Sequence, residues 1–304
     1  MNTMSSEIQE RTNTTPAEES FQFDKYEAAS YPDDLYRYRT VASGIDGFSA
    51  FTDEHVAFFR DHGYLVVHNA FNPAQVTAAL DGLLDLIDGK NPDFKGIQLE
   101  ARARSLWLSV PRQQKQDLVR KLHNYVNYDT RLKAIAEHPQ LLHAVGRLLE
   151  AQPSLLADQA MLKPPLIGRE KPWHQDQAFF NVPVAARVVG AWIALDEATP
   201  ENGCMHILPD RHQQPIIHFQ RRDWQICDEQ IATDEVMAVP LQPGGLLFFD
   251  SYLPHGTPVT HSSQRRRALQ LHYCAEGVDR TNQKERMQER MAVFGSDGKD
   301  VTCA

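Results

Sequence analysis

His174 and Asp176, in the run Trp173-His174-Gln175-Asp176, are the residues whose types and spacing could do chemistry. On an extended strand, positions two apart face the same side, so an imidazole and a carboxylate would share one space. They are two members of the 2-His-1-carboxylate set by which non-heme Fe(II) oxygenases hold their metal. The third member, a second histidine, must come from elsewhere in the fold. By itself a His-x-Asp pair also fits an ordinary hydrogen-bonded couple.

Downstream histidines that could complete the set are His206, His212, His218, His255, His261 and His272. His255 is set apart by its neighbours. It follows Gly244-Gly245-Leu246-Leu247-Phe248-Phe249-Asp250, a tight turn into a buried strand, and precedes Gly256, where backbone allows close approach. Spacing alone leaves it open between a ligand and a surface-loop histidine. Eleven residues further on stands Arg266, in Arg265-Arg266-Arg267-Ala268-Leu269-Gln270-Leu271-His272. Period-two alternation puts Arg266, Ala268, Gln270 and His272 on one face and Arg265, Arg267, Leu269 and Leu271 on the other. An enclosed guanidinium demands an anion, and its planar fork suits a carboxylate. Read alone, the arginine triplet also fits a solvated basic run.

These groups need elements to position them. From Thr52 a helix is expected through about Arg60, then a strand over Tyr64-Leu65-Val66-Val67. A second helix opens at Asn72-Pro73 with Val76, Leu80, Leu83, Leu84 and Ile87 as its buried stripe. Residues 119–125 read as extended, and 129–137 and 139–150 as helical. After Pro153 short apolar runs separated by Pro, Gly and Asn predict strands near 155–163, 173–180, 187–196, 204–208, 236–240, 245–250, 254–258 and 266–275. The fold class is therefore mainly β with flanking helices: a jelly roll, or double-stranded β-helix, over about 153–277 behind a helical N-terminal half. Residues 1–20, rich in Ser, Thr, Glu and Asn, are expected to be a disordered tail. Residues 21–50 are read as an irregular arm, 51–277 as a single domain, and 278–304 as a polar extension, helical over 285–293.

Composition bounds the function classes. A chain of 304 residues with 42% hydrophobic content builds a sizeable core. A net charge of -9 and a pI near 5.8 argue against general binding to nucleic acid or to anionic membrane. No apolar run of membrane-spanning length and no hydrophobic signal core is present, so a soluble cytoplasmic protein is expected. Cys204, Cys227, Cys274 and Cys303 lack metal or disulfide spacing and read as free thiols.

Taken together, Pro172-Trp173-His174-Gln175-Asp176, Gly190-Ala191-Trp192, Glu201-Asn202-Gly203-Cys204 leading to Leu208-Pro209, His255-Gly256 and Arg266 resemble the phytanoyl-CoA dioxygenase family of Fe(II)- and 2-oxoglutarate-dependent oxygenases. The likeness covers most of residues 50–275, and its specificity lies in the ordered combination. It implies that His174, Asp176 and His255 bind Fe(II), and that Arg266, helped by Thr257, receives the distal carboxylate of 2-oxoglutarate. Lys121 matches a family lysine at the cosubstrate, and Trp192 a tryptophan walling the pocket. Gln159 occupies a lining position where family members often carry Met. Gln175 is carried over as a substrate-side residue, and Phe179 and Phe180 are expected to divide between pocket wall and core, with Phe179 on the substrate side. Metal, cosubstrate and O2 would carry the redox step, with no separate acid-base residue. The retained Asp176 favours hydroxylation, since halogenating relatives replace this carboxylate by a small residue. The implied partner is a small molecule; the oligomeric state is unspecified. Two competing readings are a non-catalytic jelly-roll binding protein and a metal-dependent dioxygenase that does not use 2-oxoglutarate.

Overall fold

The computed structural model describes residues 30–295 and Cys303. The tail over 1–20 and most of the extension beyond 295 lie outside the described residues. Two sheets face one another. The larger has eight strands in the order Gly44–Asp46, Tyr64–His68, Leu246–Asp250, Val188–Ala194, Arg266–Ala275, Pro153–Lys163, Val119–His123 and Ile97–Leu99. The smaller has five, ordered Thr40–Val41, Met237–Val239, Met205–Ile207, His255–Thr257 and Lys171–His174. A short hairpin, His218–Gln220 with Trp224–Ile226, stands beside them.

Alternation along the large sheet builds two cores. Ala191, Ile193, Leu269 and Leu271 face helices Pro73–Ile87, Thr130–Ala136 and Pro139–Leu149, packing with Leu83, Leu132 and Val145. Trp192, Ala194 and Ala268 turn the other way and meet Met205 and Ile207 of the small sheet. The central strand Val188–Ala194 is buried at every position because both faces are covered. Asn72 caps its helix by accepting from the Gln75 amide at 3.0 Å, as its sequence position before Pro73 indicates. Space between the sheets is tight where Gly190 opposes Phe249: a β-carbon on Gly190 would lie 2.3 Å from the phenylalanine ring. That ring in turn packs against His255 and His272, at centroid distances of 4.8 and 5.9 Å. Gly190→Ala is expected to cost about 1–3 kcal/mol of stability by overpacking, read as a lower denaturant midpoint.

The strands expected from sequence are present, joined by the unexpected Ile97–Leu99, His218–Gln220 and Trp224–Ile226, and the structure departs from the sequence reading in further respects. The strand expected over 173–180 ends at His174, and Asp176–Ala178 forms a single 3-10 turn, fixed by the Gln177 amide donating to the Ser251 carbonyl at 3.0 Å. The arm is not irregular throughout: Thr40–Val41 and Gly44–Asp46 each join a sheet edge in parallel. The C-terminal helix Gln283–Phe294 is not simply a polar extension, since Phe294 is buried against His218 and Tyr252. Cys227 and Cys303 are joined in a disulfide rather than free, across 76 residues, whereas Cys204 and Cys274 are free and buried. Among the described residues no helix is long and apolar enough to cross a membrane.

Candidate metal and 2-oxo acid site

His174 and His255 end up opposite one another because strands Lys171–His174 and His255–Thr257 pair with those two residues in register. Their rings lie 4.2 Å apart between centroids. Each Nδ1 donates to a carbonyl two residues back, Pro172 at 2.8 Å and Leu253 at 2.9 Å. Both Nε2 atoms therefore present lone pairs, and both face Asp176: Nε2 of His174 is 3.2 Å from Oδ1, and Nε2 of His255 3.7 Å from Oδ2. One donor atom from each of the three falls within 4.8 Å of the others, in a buried setting.

The imidazoles do not carry the positive charge that such a cluster needs. Burial, with help from Lys171 and His255, pushes the His174 pKa down to about 3, and burial also lowers that of His255. Two neutral nitrogen lone pairs converging on a carboxylate in low dielectric repel unless a cation lies among them. The donor set, two imidazole nitrogens and one carboxylate oxygen with the rest of the surroundings open to a cavity, suits Fe(II).

Two further side chains fix the carboxylate. His272 Nε2 lies 2.7 Å from Asp176 Oδ2, and Gln270 Nε2 donates to the same oxygen at 3.1 Å. Their position on the Arg266 face was legible from alternation; their contact with Asp176 depends on the other sheet and was not. Orienting groups of this kind are worth 10- to 100-fold in metal affinity. His272→Ala is expected to weaken Fe(II) binding by about 10- to 100-fold while leaving a folded protein, measured by metal titration.

Arg266 stands along the same strand, about 2% exposed. The two arginines beside it have carboxylate partners: Arg267 pairs with Asp196 at 2.7 Å, and Arg265 with Asp117 at 2.7 Å. Arg266 has none. Its Nη1 donates to the Met161 carbonyl at 2.9 Å, its Nε is buried without a partner, and its guanidinium lies 5.3 Å from the Trp192 ring centre. Burial lowers its pKa to about 10, which leaves it charged at neutral pH. Its cross-strand neighbour Lys163 is buried too, with Nζ donating to the carbonyls of Arg169 and Pro258. A buried guanidinium without a carboxylate calls for an anion from outside the protein.

Arg266, Thr257, Trp192, Gln159, Lys121, Phe179, His174, Asp176 and His255 all line one cavity of about 1060 Å³. Lys121 Nζ reaches Gln159 Oε1 at 3.4 Å. Phe179 sits edge-on to His174 at 5.6 Å. Gln175 is brought elsewhere. Its amide is fully buried and spent on three backbone groups, donating to Gln214 and Tyr252 carbonyls and accepting from the Ile216 amide. Facing away from the cavity, it ties the loop over 214–216 to the strand end and does not line the substrate space. Sequence reasoning missed Lys171, Arg120 and Asp223, which also line the cavity.

The Phytanoyl-CoA dioxygenase (PhyH) family matches residues 59–268. The chain is 34% identical over 136 residues to a methylphosphonate hydroxylase of Gimesia maris, an alignment covering 43% of this chain and 51% of that protein, so about half of that relative's length is spanned. It is 22% identical over 260 residues to a 2-aminoethylphosphonate dioxygenase from an uncultured bacterium, covering 84% of this chain and 95% of the relative. Among solved structures, EctD from S. alaskensis with 2-oxoglutarate and 5-hydroxyectoine has the same fold, with a TM-score of 0.62 at 20% identity, covering 80% of this chain and 81% of that one. With its jelly roll and its His-Asp-His cluster beside a buried arginine, the chain belongs to the phytanoyl-CoA dioxygenase (PhyH) family of Fe(II)- and 2-oxoglutarate-dependent oxygenases.

Proposed function

We propose that the protein hydroxylates an aliphatic C–H bond of a small molecule, with one equivalent of 2-oxoglutarate and O2 converted to succinate and CO2 for each hydroxyl delivered. The observation that carries this reading is Arg266: a buried guanidinium without a carboxylate of its own, on the wall that also bears Gln270 and His272 behind Asp176. His174, Asp176 and His255 are assigned to Fe(II). Arg266 with Thr257 is assigned to the distal carboxylate of 2-oxoglutarate, and Lys121, Gln159 and Trp192 to the surrounding walls. When bound, Fe(II) and 2-oxoglutarate supply the oxidising chemistry.

The chain's own residues bind, orient and exclude water. The carbonyls of Pro172 and Leu253 hold the two imidazoles in the tautomer that presents Nε2. Ligand burial limits loss of the oxidant to solvent. The relatives that act on methylphosphonate and 2-aminoethylphosphonate support a small-molecule substrate. The test is succinate release across a panel of small molecules, with the product examined by mass. A gain of one oxygen atom per succinate supports the reading; succinate release with a loss of two hydrogens, or none with any substrate, contradicts it.

Lys121 gives the reading a pH signature. Burial first, then Lys171, push its pKa down to about 8. Its ammonium, the form that attracts a dianion, is present below that pH and lost above it. The affinity for 2-oxoglutarate is therefore expected to hold up to about pH 8 and to fall above it by up to about tenfold per pH unit. Lys121→Met removes the dependence. Titrations of 2-oxoglutarate at successive pH values check both.

A further inference from the structure

Resting on the reading above, we propose that Lys171, Arg120 and Asp223 form the substrate's anchoring subsite, and that it takes a compact oxyanion, a phosphonate, phosphate or carboxylate, carried on the molecule that is oxidised.

The strand pairing aims Lys171 into the cavity. His255 pairs with His174 but Thr257 pairs with Lys171, so the one residue between the pairs on one strand, Gly256, opposes two on the other, Pro172 and Trp173. In a regular strand the residue three before His174 would face away from it. The extra residue turns Lys171 onto the metal-binding face, a known use of bulges beside active sites. Its ammonium then lies 4.8 Å over the ring of Phe179, which itself stands edge-on to His174. The lysine is thus one aromatic ring removed from the metal-binding imidazole.

Its donors are not exhausted. An ammonium has three. Asp223 takes one at 2.7 Å, and the other Asp223 oxygen accepts from the Trp224 amide at 2.9 Å, so that the carboxylate is itself fixed. Arg120 arrives from the far sheet. Its Nη2 meets the carbonyl of Glu170, the residue next to Lys171, at 3.4 Å, and its Nη1 is buried with no partner. Arg120 and Lys171 line the same cavity, where a guanidinium and an ammonium can share the oxygens of one anion.

Charge points the same way. Seven cationic and five anionic side chains line the cavity among the described residues. Glu170 is committed to Arg222 at 2.6 Å and Glu100 to Arg169 at 3.3 Å. Setting aside the metal-binding Asp176 and Arg266, this leaves Arg37, Arg120, Lys121 and Lys171 against the two carboxylates of Asp33 and Asp223. Fe(II) and the 2-oxoglutarate dianion cancel one another, so the loaded cavity keeps its positive excess inside a chain of net charge -9. A cleft of that sign concentrates anions.

The experiment is calorimetric titration of anaerobic protein, supplied with Fe(II) and saturating 2-oxoglutarate, with methylphosphonate, inorganic phosphate and acetate, and with acetamide as an uncharged control. At least one oxyanion is expected to bind without displacing 2-oxoglutarate, with acetamide silent. Lys171→Met should weaken that binding at least tenfold while changing 2-oxoglutarate affinity less than twofold. Because Lys171→Met leaves Asp223 unpaired, the double variant Lys171→Met with Asp223→Asn is measured alongside; it should melt like wild type and lose the oxyanion equally. Which oxyanion binds best identifies the group. The inference is overturned if no oxyanion binds, if binding occurs only by displacing 2-oxoglutarate, if acetamide binds as well, or if the variants bind like wild type. Failure to bind Fe(II) and 2-oxoglutarate at all would instead overturn the parent reading, because calorimetry reads the oxyanion separately.

Discussion

Arg266→Ala is expected to weaken 2-oxoglutarate binding by roughly thirty- to several-thousand-fold, the equivalent of about 2–5 kcal/mol for removing one partner of a buried, hydrogen-bonded charge pair. The size follows from the setting. The guanidinium is buried, carries no carboxylate from the protein and has a free Nε, so the interaction with an incoming carboxylate is neither screened by water nor shared with a competitor. Fe(II) affinity should stay within a few-fold of wild type, because Arg266 does not touch His174, Asp176 or His255. Arg266→Lys should restore only part of the loss, since an ammonium cannot reproduce the two-pronged contact. Anaerobic titration with 2-oxoglutarate measures the effect. Unaltered cosubstrate affinity in the alanine variant removes Arg266 from the site.

His174→Ala should abolish stoichiometric Fe(II) binding and bring turnover to the assay floor. It takes away one of three donors, and the two that remain, His255 and Asp176, approach each other only to 3.7 Å with no second imidazole to close the face. Stability provides a readout that needs no turnover. A ligand that binds only the folded state adds about 2.7 kcal/mol at a hundred times its dissociation constant. Wild type should therefore resist denaturant better with Fe(II) under anaerobic conditions, and His174→Ala should show no such gain. The metal-free variant should be no less stable than metal-free wild type, because the substitution relieves the opposition of lone pairs and carboxylate. A variant that still gains stability from Fe(II) would mean that the metal is held elsewhere.

Much of this site was readable from the chain because it rests on strands. The run Arg265-Arg266-Arg267 sorted by period two, and the structure gives the outer arginines Asp117 and Asp196 while leaving the inner one alone. The same alternation placed Gln270 and His272 beside it. The partner that they hold, Asp176, belongs to another part of the chain, and no local pattern joins positions nearly a hundred residues apart. Lys171 was hidden for a different reason. Its direction depends on a bulge in the pairing with His255–Thr257, and counting from His174 with a regular period puts it on the wrong face. Gln175 went astray through resemblance alone: alternation from His174 and Asp176 puts it on the opposite strand face, and its amide goes to the backbone of the loop over 214–216. The Cys227–Cys303 bond had no spacing signature, because its partners come from the region after the short hairpin and from the chain's end. In the N-terminal half the helices were legible from their apolar stripes and from caps such as Asn72-Pro73. The two short strands before residue 50 were not, since two or three residues that merely extend a sheet edge carry no periodicity.

The central claim is that His174, Asp176 and His255 hold Fe(II) and that 2-oxoglutarate chelates it with Arg266 at its far end. The most direct measurement is the visible charge-transfer absorption that develops when Fe(II) and 2-oxoglutarate are added together without oxygen. Wild type should develop the band only with both present, His174→Ala should develop none, and Arg266→Ala should need far more 2-oxoglutarate to reach it. A colourless mixture with wild type, or an undiminished band in His174→Ala, would contradict the assignment.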